Sequence, residues 1–329
     1  MIEGSRCLST GAPVLVSGDV DRRWRNADQD RRGETMNTVT CSAPGARSSD
    51  ASADDRTAPG RPRRADVVAS YDIGVENYEQ LWSPVILPAA VALVPWLGLG
   101  DHQVVLDVGA GTGALADALR SSAPTASVIA LDPSNPMLRV AHTQRGLWAV
   151  RADAMALPVA AESVHVVVLA YVLFHLADPL VALSEAARVL RSEGRVATVT
   201  WAWERAGRAQ MLWDEALAES DVPPLHVRRV DAGLDTIEAI DGLLRATGFM
   251  PHRVWSERLR RQWEPGSFWA RASGSGVNRQ RLAPLDPDAR SELLSRLRKL
   301  LNKLGPEDYR WEGQVICAVA AKAAQPSSA

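Results

Sequence analysis

The stretch Asp107-Val108-Gly109-Ala110-Gly111-Thr112-Gly113 constrains the fold of this chain more than any other. It follows the apolar run Val104-Val105-Leu106 and leads into Ala114-Leu115-Ala116-Asp117-Ala118-Leu119. An apolar run, a glycine cluster and an amphipathic stretch, in that order, read as a buried strand, a turn and a helix. The glycines let the backbone approach a ligand more closely than any side chain permits. Dinucleotide-binding folds space them as G-x-G-x-x-G and hold a pyrophosphate at the helix N-terminus. Here the spacing is D-x-G-x-G-x-G, with an acid before the first glycine. A carboxylate at this strand end suits a cationic ligand better than a pyrophosphate.

The chain has 329 residues, 46% of them hydrophobic, which is room for one large domain or two modest ones around a sizeable core. A formal net charge of −2 leaves no electrostatic footprint for nucleic acid. Only Lys299, Lys303 and Lys322 are lysines, and that arginine bias, with abundant alanine, suggests a high-GC bacterial genome. Cys7, Cys41 and Cys317 are far apart, and the histidines show no ligand spacing. Neither a disulfide framework nor a metal site is expected, and a reducing cytoplasm is the default location. The apolar stretch Ala12-Pro13-Val14-Leu15-Val16 is too short for a signal peptide. The run from Val85 to Gly100 is interrupted by Pro88 and Pro95 and is too short to span a bilayer.

Residues 1–65 are rich in Ser, Gly, Ala, Arg and Asp without an apolar period, and read as a disordered tail. Met36 is an alternative start. Residues 66–102 read as an N-terminal helical lid, with Ser83 as a helix cap and Pro84 at the first helical position. From residue 103 the pattern alternates. Strands are expected over 104–108, 127–131, 148–151, 164–170 and 195–201. Helices are expected over 114–121, 135–144 and from the Asp178-Pro179 cap to about Leu190. Such alternation with short connections predicts an α/β fold with a doubly wound, mostly parallel, Rossmann-like sheet. After Trp203 helices are expected over 208–218, 235–247 (ended by Gly248) and 287–304, with strands over 251–258 and 313–320 completing seven. Residues 204–320 thus read as the last strands plus a helical insert that caps the site, and 321–329 as a flexible tail.

The glycine stretch resembles the first motif of the class I S-adenosylmethionine (SAM) methyltransferases, whose ligand carries an ammonium and a sulfonium. Three further stretches follow in the family's order. Asp132 ends the strand Val128-Ile129-Ala130-Leu131, where an acid is placed to accept both ribose hydroxyls of an adenosyl ligand. Pro133-Ser134-Asn135-Pro136-Met137 then resembles the family's D-x-S-x-x-M, whose Met packs on adenine; a core residue is the alternative for Met137. Asp153-Ala154 in Ala152-Asp153-Ala154-Met155-Ala156-Leu157-Pro158 resembles the loop whose acid caps the adenine amino group. Ala170-Tyr171-Val172-Leu173-Phe174-His175 matches the strand end that opens onto the methionine moiety. The N/D-P-P-[YF] sequence common at this place in nucleic-acid and protein amino methyltransferases is absent. The segment from Tyr71 to Trp82 resembles the lid of ubiquinone and menaquinone methyltransferases of the methyltransferase type 11 group, in which Tyr71 and Tyr78 would line the mouth of the cofactor site. The resemblance covers roughly residues 68–203.

It implies SAM as cofactor, bound by Tyr71, Tyr78, Asp107, Gly109, Gly111, Gly113, Asp132, Pro133, Met137, Asp153, Ala154 and Ala170. His175 is the candidate general base or substrate hydrogen-bond donor, with a structural role as the alternative. Trp201 is the candidate substrate wall. Eleven Trp against three Phe, with Trp201, Trp203, Trp213, Trp263 and Trp269 in the later part, suit a planar or apolar acceptor if they are not core. The expected function is methyl transfer to a small, largely apolar or aromatic acceptor, on oxygen first and carbon second. The expected assembly is a monomer or homodimer, with no nucleic acid or membrane span. A catalytically silent SAM-binding protein and an NAD(P)-dependent oxidoreductase are the alternatives.

Overall fold

The computed structural model describes residues 63–224 and 233–323. Of the tail expected over 1–65, residues 1–62, with Met36, Cys7 and Cys41, lie outside the described residues, as do residues 225–232, with His226, and residues 324–329. The first described helix, α1 (Arg64–Ile73), begins slightly before the expected boundary. A short helix α2 (Val75–Asn77), a π-helical turn (Tyr78–Trp82) and α3 (Ser83–Val91) follow without a break. Ser83 is therefore not a cap: it is already helical, and the residue before it has α dihedrals. Single π turns recur at functional sites, and this one carries Tyr78 and Trp82.

The seven strands are β1 (Val104–Val108), β2 (Ser127–Asp132), β3 (Trp148–Arg151), β4 (Val164–Ala170), β5 (Leu190–Ala206), β6 (Phe249–Gln262) and β7 (Arg310–Lys322). Their order across the sheet is β3-β2-β1-β4-β5-β7-β6. The pairs among the first five strands are parallel, whereas β7 runs antiparallel to both β5 and β6. This is the expected Rossmann-like, mostly parallel sheet. Helices α4 (Ala116–Ser122), α5 (Asn135–Arg145) and α6 (Pro179–Val189) connect the first strands. The loop after β1 is longer than expected, because residues 111–115 turn before α4 begins. Strands β5 and β6 also run beyond their expected bounds, since they pair with β7 as far as Trp311 and Arg310 respectively.

Alternation along the strands divides the core into two layers. Val105, Val166, Val168, Ala197 and Val199 face one side, with Leu138 and Ala141 of α5 and Leu119 of α4. Leu106, Val108, Val167, Leu169 and Val196 face the other, with Leu183 and Ala186 of α6 and Ile240 and Leu244 of α8 (Ile237–Ala246). Both faces of β1 are therefore dry, and all five of its residues are buried, as a central parallel strand requires. His165, the polar exception in β4, stands at the strand start, where its Nδ1 accepts the Val104 N–H at 3.0 Å. The chain ends α6 and α8 as read: Asp178 accepts from Leu180 N–H at the start of α6, and Gly248 takes φ +81° just after α8.

The helical insert is divided. Helix α7 (Arg208–Glu219) and α8 lie between β5 and β6, and α9 (Pro265–Gly274), α10 (Gly276–Leu282) and α11 (Pro287–Leu301) lie between β6 and β7. Helix α10 docks on α1 through backbone rather than side chains. A Cβ on Gly276 would coincide with the Ser70 carbonyl, and one on Gly74 would stand 2.6 Å from the Gly276 nitrogen. Asn77 Nδ2 donates to Ala270 O at 2.7 Å and Arg279 Nη1 to Ile73 O at 2.8 Å across the same seam. The N-terminal helices and the later insert thus form one roof. Among the described residues, no helix is long and apolar enough to cross a membrane.

Gly276→Val should open this seam while leaving the sheet folded. Hydrogen exchange should quicken in residues 64–82 and 265–282 and stay native in β1 and β4; unchanged exchange at the seam would contradict the packing described.

Candidate functional site

The site is built where β1, β2 and β4 end under the roof. At the end of β1 the chain turns through Gly109, Gly111 and Gly113, all with positive φ (+72°, +56° and +76°). Their roles differ. A Cβ at Gly111 would meet nothing closer than Tyr78 at 3.8 Å, so this glycine faces open space and is needed for its backbone. Gly113 faces inward, where a Cβ would collide with Leu147 and Ala141 of the neighbouring layer. The turn is held by Asp132 at the end of β2. Its Oδ2 accepts the Gly111 N–H and its Oδ1 the Ser134 N–H, both at 2.8 Å. Ser134 in turn donates from Oγ to Asp72 Oδ1 at 2.6 Å, linking α1 to the start of α5. A Glu79–Arg145 ion pair, with Arg145 Nη1 also donating to Thr112 O at 2.9 Å, fastens the π turn to the same loop.

One cavity runs along these elements. All the residues expected to bind cofactor or substrate line it except Asp107 and Gly113. Gly113 is a packing glycine behind the loop, and Asp107 is buried at 3% exposure. Met137 meets both readings, since it is 1% exposed and also lines the cavity. Asp153 accepts from Met155 N–H at 3.0 Å and pairs with Arg64 of α1 at 2.6 Å, a partner that the sequence did not indicate. Tyr71 and His175 face each other, the hydroxyl 3.0 Å from Nε2. Tyr71 also packs edge-on against Tyr78, with ring centroids 5.7 Å apart.

A second, more open chamber shares Tyr71, Tyr78, Trp82 and His175 with the first and extends under α9 and α10. An aromatic partition stands between the two. Trp82 stacks on Trp201 (6.4 Å) and meets Trp311 edge-on (5.3 Å), and Tyr171 packs on Trp201 (5.3 Å). The tryptophans expected to form a wall are placed differently from one another. Trp201 lines the first cavity, whereas Trp213 and Trp263 are core residues at 0% and 2% exposure, and Trp203 and Trp269 line neither chamber. Residues that sequence reasoning passed over include Arg64, Trp82, Met155 and Tyr171. Tyr171 holds φ +62°, unusual for a bulky residue, and is pinned by its N–H to Val199 O (2.8 Å) and its hydroxyl to Ile86 O (3.0 Å). No one-dimensional pattern reports that conformation.

The electrostatics single out the two acids. The Asp107 carboxylate accepts no hydrogen bond among the described residues. Burial, with the negative Asp132 nearby, pushes its pKa up to about 7. Burial also raises Asp132 to about 6, although its two backbone N–H donors favour the charged form. Tyr78 is shifted upward by burial and by its acidic surroundings, so its phenol stays neutral. Two buried carboxylates without a cation mark a site that a positive ligand would stabilise. Among the described residues, no cluster of three or more His, Cys, Asp or Glu could hold a metal.

Because the folded protein keeps the Asp107 proton after the unfolded chain has lost it, this group costs stability as pH rises from about 4 towards 7. Asp107→Asn should therefore melt above wild type at about pH 8 without added ligand, with the difference closing near pH 4. A variant that is less stable at about pH 8 would show that the charged form is favoured in the fold.

Residues 106–198 match the methyltransferase domain family. The malonyl-[acyl-carrier protein] O-methyltransferase of Methylococcus capsulatus is 35% identical over 162 residues, covering 48% of this chain and 55% of that protein. The ubiquinone/menaquinone biosynthesis C-methyltransferase UbiE of Paracoccus denitrificans is 33% identical over 131 residues, covering 37% of this chain and 52% of that protein. The chain thus spans about half the length of these curated relatives. Among solved structures, the [4+2]-cyclase SpnF shares the fold at a TM-score of 0.50 and 19% identity, over 81% of this chain and 98% of that one. The matched stretch runs from β1 and its glycine loop into β5, so the likeness to a methyltransferase domain covers the elements that build the floor of the first cavity.

Proposed function

We propose that this protein is a SAM-dependent methyltransferase acting on a small, largely apolar or aromatic acceptor, with oxygen the first choice of methylated atom and carbon the second. The observation that carries the reading is the Tyr71–His175 pair at the junction of two chambers. The fit of the cofactor rests on two residues that line the first chamber and on one acid buried behind its wall. Gly111 leaves room for close approach. Asp132 keeps lone pairs for ribose hydroxyls beside its two backbone donors. Asp107 places an uncompensated buried carboxylate at the strand end, which a ligand ammonium would neutralise. An NAD(P) reading gains nothing from that acid, since a pyrophosphate would face it.

SAM, when bound, supplies a methyl group already activated on a sulfonium. The protein's part is then mainly to hold the acceptor in line with that group and to keep water out. Trp82, Trp201 and Trp311 give a planar acceptor a surface to lie on. A hydroxyl acceptor would have to shed its proton on methylation. His175 Nε2 takes it, directly or through the Tyr71 hydroxyl 3.0 Å away. A carbon acceptor would lose its proton to the same pair.

Asp132→Ala should weaken SAM and S-adenosylhomocysteine binding at least about tenfold by calorimetry, since it removes a polar anchor and frees the glycine loop. The wild type should bind neither NAD(P)H form. In an acceptor screen with labelled methyl groups, His175→Ala should lower kcat roughly 10²- to 10⁴-fold while SAM affinity stays native. Full turnover in that variant would make His175 structural, and SAM binding with no turnover on any acceptor would favour a silent binding protein.

A further inference from the structure

The second chamber has a polar side that methyl transfer to an apolar molecule leaves unexplained. Arg271, from α9, lines it. Its Cζ lies 5.8 Å from the Trp82 ring centre, 5.2 Å from Trp263 and 5.3 Å from Phe268. This aromatic sleeve strips the guanidinium of most of its water. Nη2 donates to Gln210 Oε1 at 2.5 Å, and Nε is buried without a partner. Arg271 makes no ion pair among the described residues. Burial pulls its pKa down to about 10, against the opposing influence of Glu204 and Asp214.

The other charges of the chamber are placed differently. Glu204 and Asp214 are exposed residues at its rim. The second arginine, Arg281, is already engaged: it lies 3.7 Å from Asp214 and donates to the carbonyls of Pro223 and Val222. Both acids favour the Arg271 cation only from the exposed rim, without a direct ion pair to it, so among the described residues Arg271 is the inner charge of the chamber whose guanidinium no carboxylate touches. A buried guanidinium is a planar fork of donors suited to a carboxylate or phosphate, and an enclosed anion would recover the solvation that the arginine has lost.

We propose that the second chamber is the acceptor site and that Arg271 binds an anionic group on the acceptor, which is thus a small carboxylate- or phosphate-bearing molecule with a planar or apolar body. The proposal rests on the methyltransferase reading for the word acceptor, but the anion subsite can be tested apart from it. Trp82 belongs to both the sleeve and the partition, so the anionic end is held next to the aromatic surface and the remainder of the molecule points to Tyr71 and His175. Acidic rim residues would repel a second negative charge outside the chamber and so orient the anion inward.

Benzoate, phenyl phosphate, benzyl alcohol and benzylamine form a suitable probe series, read by tryptophan fluorescence and calorimetry with and without S-adenosylhomocysteine. Saturable binding is expected for benzoate or phenyl phosphate, and the stronger of the two identifies the anion type. Arg271→Gln should weaken that anion about tenfold or more, and Arg271→Lys should retain part of the affinity because the charge remains. Benzylamine or benzyl alcohol binding as well as both anions overturns the proposal, as does undiminished anion binding in an Arg271→Gln protein that still binds S-adenosylhomocysteine natively. If Arg271→Gln does not fold, the wild-type series of anion against alcohol and amine decides. Anion binding without S-adenosylhomocysteine binding would sink the methyltransferase reading and leave the subsite standing.

Discussion

The carboxylate of Asp132 is the fixed point of this molecule. One oxygen takes the Gly111 N–H and the other the Ser134 N–H. A loop of three left-handed glycines has little to hold it, because its backbone conformations are open to many alternatives and its side chains are absent. Asp132 supplies the missing restraint from the next strand, in a place where water does not compete. The same carboxylate fixes the entry to α5 and, through Ser134 and Asp72, the position of α1. The roof over the site is therefore registered against the sheet by the group that also shapes the floor.

That economy carries an electrostatic cost. Burial raises the resistance of both Asp107 and Asp132 to ionisation, with the charge of Asp132 adding to it at Asp107 and that of Asp72 at Asp132. A protein selected for stability alone would place a neutral amide or an apolar residue at position 107. Under the proposed function, the acid in β1, in a strand otherwise made of valine and leucine, would favour the bound form over the free one.

The sequence made the sheet legible because its central strands are continuous apolar runs bounded by glycine, proline and acid caps, which few other structures accommodate. Asp132, Met137 and Asp153 were readable for the same reason: they follow strands whose ends are unambiguous. What escaped lies where the third dimension decides. Tyr171 looked like the residue after a strand, but its left-handed backbone turns its ring into the partition. Trp213 and Trp263 could not be told from Trp82, Trp201 and Trp311 by composition, since a tryptophan packs equally well in a core or beside a ligand. Residues 260–286 carried too weak a period to show α9 and α10, because their apolar faces are shared among the π turn, α1 and α7 rather than aligned on one stripe. Gly74 and Gly276 gave no local signal at all; their meaning is a contact between segments two hundred residues apart.

Tyr71 and Tyr78 each present a surface to both chambers from one stretch of helix. Whatever occupies the first chamber fixes two rings that the second occupant must meet. The two binding events therefore share a single ordering cost, and whichever molecule arrives first meets most of it. Thermodynamic linkage makes this assistance reciprocal: the factor by which one ligand tightens the other is the same in either order. Two tyrosines shared by both chambers would thus couple whatever occupies them.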